Sequence, residues 1–170
     1  MEQKLEFKDI AGYLSYDLNW IGIKAGTELT TKEISIYNYS LRSVEDIINK
    51  RCSENKPILR PLSDLYKTIT HNGEDFVPIV ELAKIHRRNP KVKWWLNAVG
   101  DAECLNFIFG YNAEANSFYC GLNDVDASHC LVCNQYQLFH KLNEWKIDYR
   151  GLIDAGLAID CNTLDINPYK

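Results

Sequence analysis

No stretch of this 170-residue chain approaches the ~20 apolar residues needed to cross a bilayer, and the opening Met1-Glu2-Gln3-Lys4-Leu5-Glu6 holds no apolar run of the kind a secretory leader requires. A soluble, cytoplasmic protein is expected, and with it reduced thiols. Also missing are the GxSxG elbow, the HExxH helix, the Walker loop and the GxGxxG turn. Covalent hydrolase, zinc peptidase, P-loop and dinucleotide-binding readings therefore lose their usual support. The chain shows no internal repeat, low-complexity tract or interdomain linker. Finally, Lys and Arg are absent between Trp94 and His140, a segment that carries Asp101, Glu103, Glu114, Asp124 and Asp126. That segment is expected to present an acidic face suited to binding a partner protein.

What is present suits one compact domain over 1–170, since 46% of the residues are hydrophobic and 12% aromatic. The net charge of −4 arises entirely in the second half: residues 1–90 balance 13 Lys/Arg against 13 Asp/Glu, whereas residues 91–170 carry 6 against 10.

The stretch Lys56-Pro57-Ile58-Leu59-Arg60-Pro61-Leu62-Ser63-Asp64-Leu65-Tyr66-Lys67-Thr68-Ile69 punctuates the chain. Two prolines fix φ and remove amide donors, so an extended piece gives way to a helix that starts no earlier than Pro61. Leu62, Leu65 and Ile69 then share one helical face, predicting a helix over 62–70. Upstream, Ile10, Tyr13 and Leu14 predict a short helical turn, the alternation over 19–24 and 32–39 predicts an antiparallel pair, and Ser43 heads a short helix. Downstream, Asn72-Gly73 predicts a tight turn, Phe76-Val77-Pro78 a short extended piece, and 79–88 a helix ending in cations. A meander is predicted over 92–98, 103–111 and 117–122, with 112–116 as a hairpin loop, then a long helix over 134–146. Gly156 caps a last short helix before an extended 157–159.

Tyr13-Leu14-Ser15-Tyr16, the Lys56 to Leu65 block, Gly73 with Phe76-Val77-Pro78, and Gly151-Leu152-Ile153 with Gly156-Leu157-Ala158-Ile159-Asp160 resemble an uncharacterised protein family of anaerobic gut bacteria and their phages. The resemblance spans about residues 5–165 and implies a phage or mobile-element origin. It transfers no catalytic residue, since that family has no assigned activity. Its endings are usually apolar where Cys161 stands, which counts against a metal site shared across it.

Four constellations remain. His129-Cys130-Leu131-Val132-Cys133, with His140 and Cys120, offers thiolates and imidazoles at a spacing that a tetrahedral zinc ion accepts; the competing reading packs both Cys130 and Cys133 in the core. Cys52, Cys104, Cys120 and Cys161 read first as small apolar side chains. Arg87, Arg88, Lys91 and Lys93 lead into Trp94 and Trp95, a composition that single-stranded nucleic acid binders use, although on a strand adjacent tryptophans must face opposite sides. Asp124 and Asp126 read as loop acids, and Arg60 with Asp64 as a local ion pair.

The fold class is α+β: an antiparallel sheet of hairpins with at least three helices packed on it. The leading functional expectation is a non-enzymatic, protein-binding accessory, such as a phage-encoded inhibitor of a host defence system, with no cofactor. The alternatives are a single-stranded nucleic-acid-binding module and a zinc-stabilised domain or small metal enzyme.

Overall fold

The alternation of Asn19-Trp20-Ile21-Gly22 does what its period dictates. These residues form β1 (Asn19–Gly22), paired antiparallel with β2 (Ser35–Asn38) and, on its other edge, with β3 (Lys56–Leu59). The structure, a computed structural model, describes residues 4–22, 35–38, 48, 55–87, 92–122 and 130–169; most of the helix expected after Ser43 lies outside them. The fold is α+β. Its backbone packing groups into two compact units, 1–61 with 143–168, and 62–142 with 169–170.

In the first unit, β11 (Ile159–Asp160) completes the sheet in the order β11-β3-β1-β2, and it runs parallel to β3 rather than antiparallel. The reason lies just upstream, where Ile147 already bridges Arg60 in parallel through Arg60 N–H to the Lys146 carbonyl (2.8 Å) and Asp148 N–H to the Arg60 carbonyl (2.8 Å). Pairing with β11 starts only at Ile58, so the missing amide hydrogen of Pro57 falls before that ladder. The core collects Ile10 of α1 (Phe7–Ile10), Tyr13, Leu18, Trp20, Leu59, Leu152 and Ala158. Gly156 takes φ 70°, the left-handed conformation expected of a cap, although the residues before it form turns rather than a helix.

The second unit opens on a correction. The helix expected over 62–70 is only a five-residue 3-10 turn, Leu62–Tyr66. The β-branched Thr68-Ile69-Thr70 prefers a pleated surface, and β4 (Ile69–His71) pairs with β5 (Glu74–Phe76) across Asn72-Gly73, whose φ values of 53° and 80° suit a two-residue hairpin turn. Pro78 then begins α2 (Pro78–His86) at the first helical position, where its lack of an amide hydrogen costs nothing.

The five-stranded meander follows in the order β10-β9-β8-β7-β6. Its members are β6 (Trp95–Leu96), β7 (Ala102–Cys104), β8 (Phe107–Asn112), β9 (Ser117–Leu122) and β10 (Cys130–Leu131). The expected single strand over 103–111 is thus split, because Leu105 adopts φ 50° and, with Asn106, turns the chain between Cys104 and Phe107. α3 (Gln135–Glu144) closes the segment.

Register assigns the two faces of this sheet. Ala102, Cys104, Phe107, Phe109, Tyr111, Phe118 and Cys120 share the inner face. The Arg87 guanidinium lies 3.6 Å from the Phe107 ring centroid, His86 stacks on Phe109 at 5.5 Å, and Phe139 of α3 meets Phe118 at 5.4 Å.

Candidate functional site

Alternation places Trp95, Asp101, Glu103, Ile108, Gly110, Tyr119 and Leu131 on the other, outer face. Here the predicted acidic residues meet an aromatic rim. Trp95 stands directly opposite Glu103 in the register and is 45% exposed, whereas its neighbour Trp94 is buried at 6%. The two tryptophans therefore face opposite sides, as a strand requires.

A five-residue loop, Asn97 to Asp101, joins β6 to β7, and Asn97 organises it. Its backbone N–H donates to the Asp101 carbonyl (2.9 Å), its side-chain oxygen accepts from the amides of Val99 (3.1 Å) and Asp101 (2.9 Å), and its amide nitrogen donates to Glu103 Oε2 (3.2 Å). Gly100 supplies φ 97°. The result is a pinned corner that holds Asp101 and Glu103 on one face and leaves Val99 83% exposed at its tip.

One strand further in, Gly110 makes room for a tyrosine. The Tyr119 hydroxyl donates to Asp101 Oδ1 at 2.7 Å, and a Cβ on Gly110 would collide with both side chains. Burial raises the Tyr119 phenol pKa first, and the hydrogen bond and charge of Asp101 raise it further. Tyr66 is raised in the same order, by burial and then by Asp101. The Tyr119 phenol therefore stays a donor to Asp101, and the patch offers a carboxylate pair flanked by aromatic rings.

The remaining predicted site residues scatter. Glu114 is exposed in the β8–β9 hairpin loop, while Asp124 and Asp126 lie outside the described residues, as do Arg88, Lys91, His129 and Cys52. Lys93 is exposed, but Arg87 is turned onto Phe107 and interacts with the Cys104 thiol.

Among the cysteines, Cys104 and Cys161 are buried as expected and Cys120 is half-buried. Cys130 and Cys133 are exposed rather than packed in the core, because they sit on the two-residue edge strand β10 and the turn after it. Cys120 and Cys130 are opposed in the ladder, and the Cys120 thiol pKa is pushed up by burial and then by the Cys130 and Cys133 thiols. His140 is exposed on α3 against Tyr136, 5.8 Å between rings. Among the described residues, no group of three or more His, Cys, Asp or Glu is placed to hold a metal ion.

Sequence reasoning missed Asn97, Gly110, Tyr66 and Tyr119, and also a buried polar group in the first unit: Arg60, Asn143, Lys146 and Asp148 are each under 10% exposed. Asp148 accepts from the amides of Ile153 (2.7 Å) and Arg150 (3.3 Å), and Lys146 Nζ donates to the Glu144 carbonyl (2.8 Å). Arg60-Pro61 preceded by an apolar run was the one signal available, since a cation so close to buried positions needs internal partners. No helix among the described residues is long and apolar enough to cross a membrane. Comparison with family models, with curated proteins and with solved structures finds no match to this chain.

Proposed function

We propose that this chain is a non-enzymatic protein-binding accessory that captures a partner with a basic surface on the outer face of its five-stranded sheet. The observation that carries the reading is the union, on one face, of Trp95 with Asp101 and Glu103, next to the exposed Val99 corner. Aromatic anchors beside fixed charges are the composition from which binding hot spots are built, and fixed carboxylates select a cationic partner. The 94–140 segment adds no cation of its own to oppose that field. That the partner belongs to a host defence system, with this chain as its phage-encoded inhibitor, rests on the resemblance of the Lys56 and Gly151 blocks alone.

The nucleic-acid reading draws no comparable support, because Trp95 shares its rung with Glu103, a charge that repels phosphate, and Arg87 is occupied.

Immobilised protein challenged with lysate of a gut anaerobe should retain a basic protein, and Trp95→Ala combined with Glu103→Lys should reduce that retention by about tenfold or more. Retention should also weaken as salt rises, since screening acts on exposed charge. Equal capture by the variant, with its fold intact by circular dichroism, would remove the outer face from the account.

A further inference from the structure

We propose that Cys120 and Cys130 form a reversible cross-strand disulfide that fastens the edge strand β10 to β9. The two residues stand directly opposite each other in an antiparallel ladder, so their side chains lie on the same face. The Val132 N–H donates to the Phe118 carbonyl at 3.3 Å across the same two strands, which makes 132/118 a hydrogen-bonded rung. Two residues along, 130/120 is another. Such rungs separate their Cα atoms by about 5.5 Å. That value lies within the Cα range a disulfide spans, but the Cβ atoms of such a rung stand about 5 Å apart against the roughly 3.8 Å a disulfide prefers, so closing the bond draws the two strands together and leaves it readily reduced.

Access orders the chemistry. Cys130 is exposed and Cys120 half-buried, and burial pushes the Cys120 thiol pKa up. A low-molecular-weight disulfide such as oxidised glutathione is attacked by the Cys130 thiolate, forming a Cys130–glutathione mixed disulfide and releasing one glutathione thiolate. The Cys120 sulfur, after losing its proton to solvent, then attacks the Cys130 sulfur and expels the second glutathione. Two protein thiols are oxidised, one small disulfide is reduced to two thiols, and no other electron acceptor is required.

The bond would fasten the end of β10 away from an existing side-chain clamp. The far end of β10 is already clamped at Phe118, whose N–H donates to Gln135 Oε1 (2.9 Å) while Gln135 Nε2 donates back to the Phe118 carbonyl (2.5 Å). At the near end Cys130 and Cys120 are the last opposed pair among the described residues. Residues 120–130, the ring so closed, include the acidic Asp124 and Asp126.

The test uses the full chain, treated with oxidised glutathione, blocked with an alkylating reagent and weighed intact. Trypsin alone cannot map the bond, because no Lys or Arg falls between Trp94 and His140. Cleavage at Asp124 and Asp126 separates Cys120 from Cys130. The expected product takes up two fewer alkyl groups than the reduced chain, carries no glutathione, and keeps the Cys120 and Cys130 peptides joined until a reductant is added. Cys133→Ser should preserve that link, whereas Cys120→Ser should stop one glutathione heavier at Cys130. A link between Cys130 and Cys133, or stable glutathione adducts without a cross-link in the unmodified chain, overturns the proposal. Because the unmodified chain is itself diagnostic, a variant that fails to fold does not blunt the test.

Discussion

Gly110→Ala should cost the protein about 2–3 kcal/mol and lower its Tm by roughly 5–10 °C, although it adds only one methyl group. The added Cβ would occupy space already held by the Asp101 carboxylate, from the loop before β7, and by the Tyr119 ring of β9. One of them must swing away, which breaks their 2.7 Å hydrogen bond and disturbs the corner that Asn97 fixes. Tyr119→Phe should cost less, about 1 kcal/mol, since it removes the hydroxyl and keeps the ring. If the collision is the cause, Gly110→Ala should cost under about 1 kcal/mol in a Tyr119→Ala background, a coupling readable in a double-mutant cycle of urea melts. Additive costs would mean that Gly110 is needed for some other reason. Partner capture should fall with Gly110→Ala and survive Tyr119→Phe, because only the former forces the Asp101–Tyr119 pair out of place.

A rise in stability with pH is the second expectation. Lys146 is 3% exposed, and its ammonium is pulled down to about 8 by burial, with Arg60 adding to the effect while Asp17 and Glu144 oppose it. The unfolded chain, in which this lysine titrates near 10.5, holds the extra proton between about pH 8 and 10.5. Stability therefore climbs as pH rises through that window, and the penalty for burying the charge is fully present below it. The whole shift corresponds to ~3 kcal/mol, and about 2 kcal/mol is expected once solvent screening is allowed for. Lys146→Met should flatten the climb and raise stability at pH 7 by about 1–2 kcal/mol, net of the lost bond to the Glu144 carbonyl. Chemical melts of both proteins from pH 7 to 10.5 measure this directly. A variant less stable at pH 7 with an unchanged slope would show the ammonium to be a stabilising anchor instead.

These two sites also mark the limit of what residue pattern conveys. Period-2 alternation located β1 and β9, and Asn72-Gly73 located its hairpin, because each signal is local, while the helix expected from residue 79 begins one residue earlier, on Pro78 itself. The 62–70 helix failed because apolar spacing said nothing of the partner strand that Thr68-Ile69-Thr70 would find beyond the Asn-Gly turn. Leu105 at φ 50° carries no turn chemistry in its side chain, so the break inside 103–111 was invisible. Asp101 and Glu103 were legible as acids, but their union with Trp95 and Tyr119 depends on register across four strands. Lys146 gave no warning at all, since its burial follows from the bridge between Arg60 and Ile147.

The division of the chain also sets an order of assembly on the ribosome. Residues 62–142 are continuous, whereas the unit that begins at the N-terminus needs residues 143–168 to finish its sheet through β11. Strand β3 must therefore wait, one edge unpaired, while roughly a hundred residues are synthesised before its parallel neighbour emerges. The inserted unit can complete its meander in that interval. A ribosome-bound chain that ends at residue 142 and is held clear of the exit tunnel by a flexible C-terminal spacer should accordingly protect Phe109 and Phe118 from proteolysis while leaving Trp20 and Leu59 open to it.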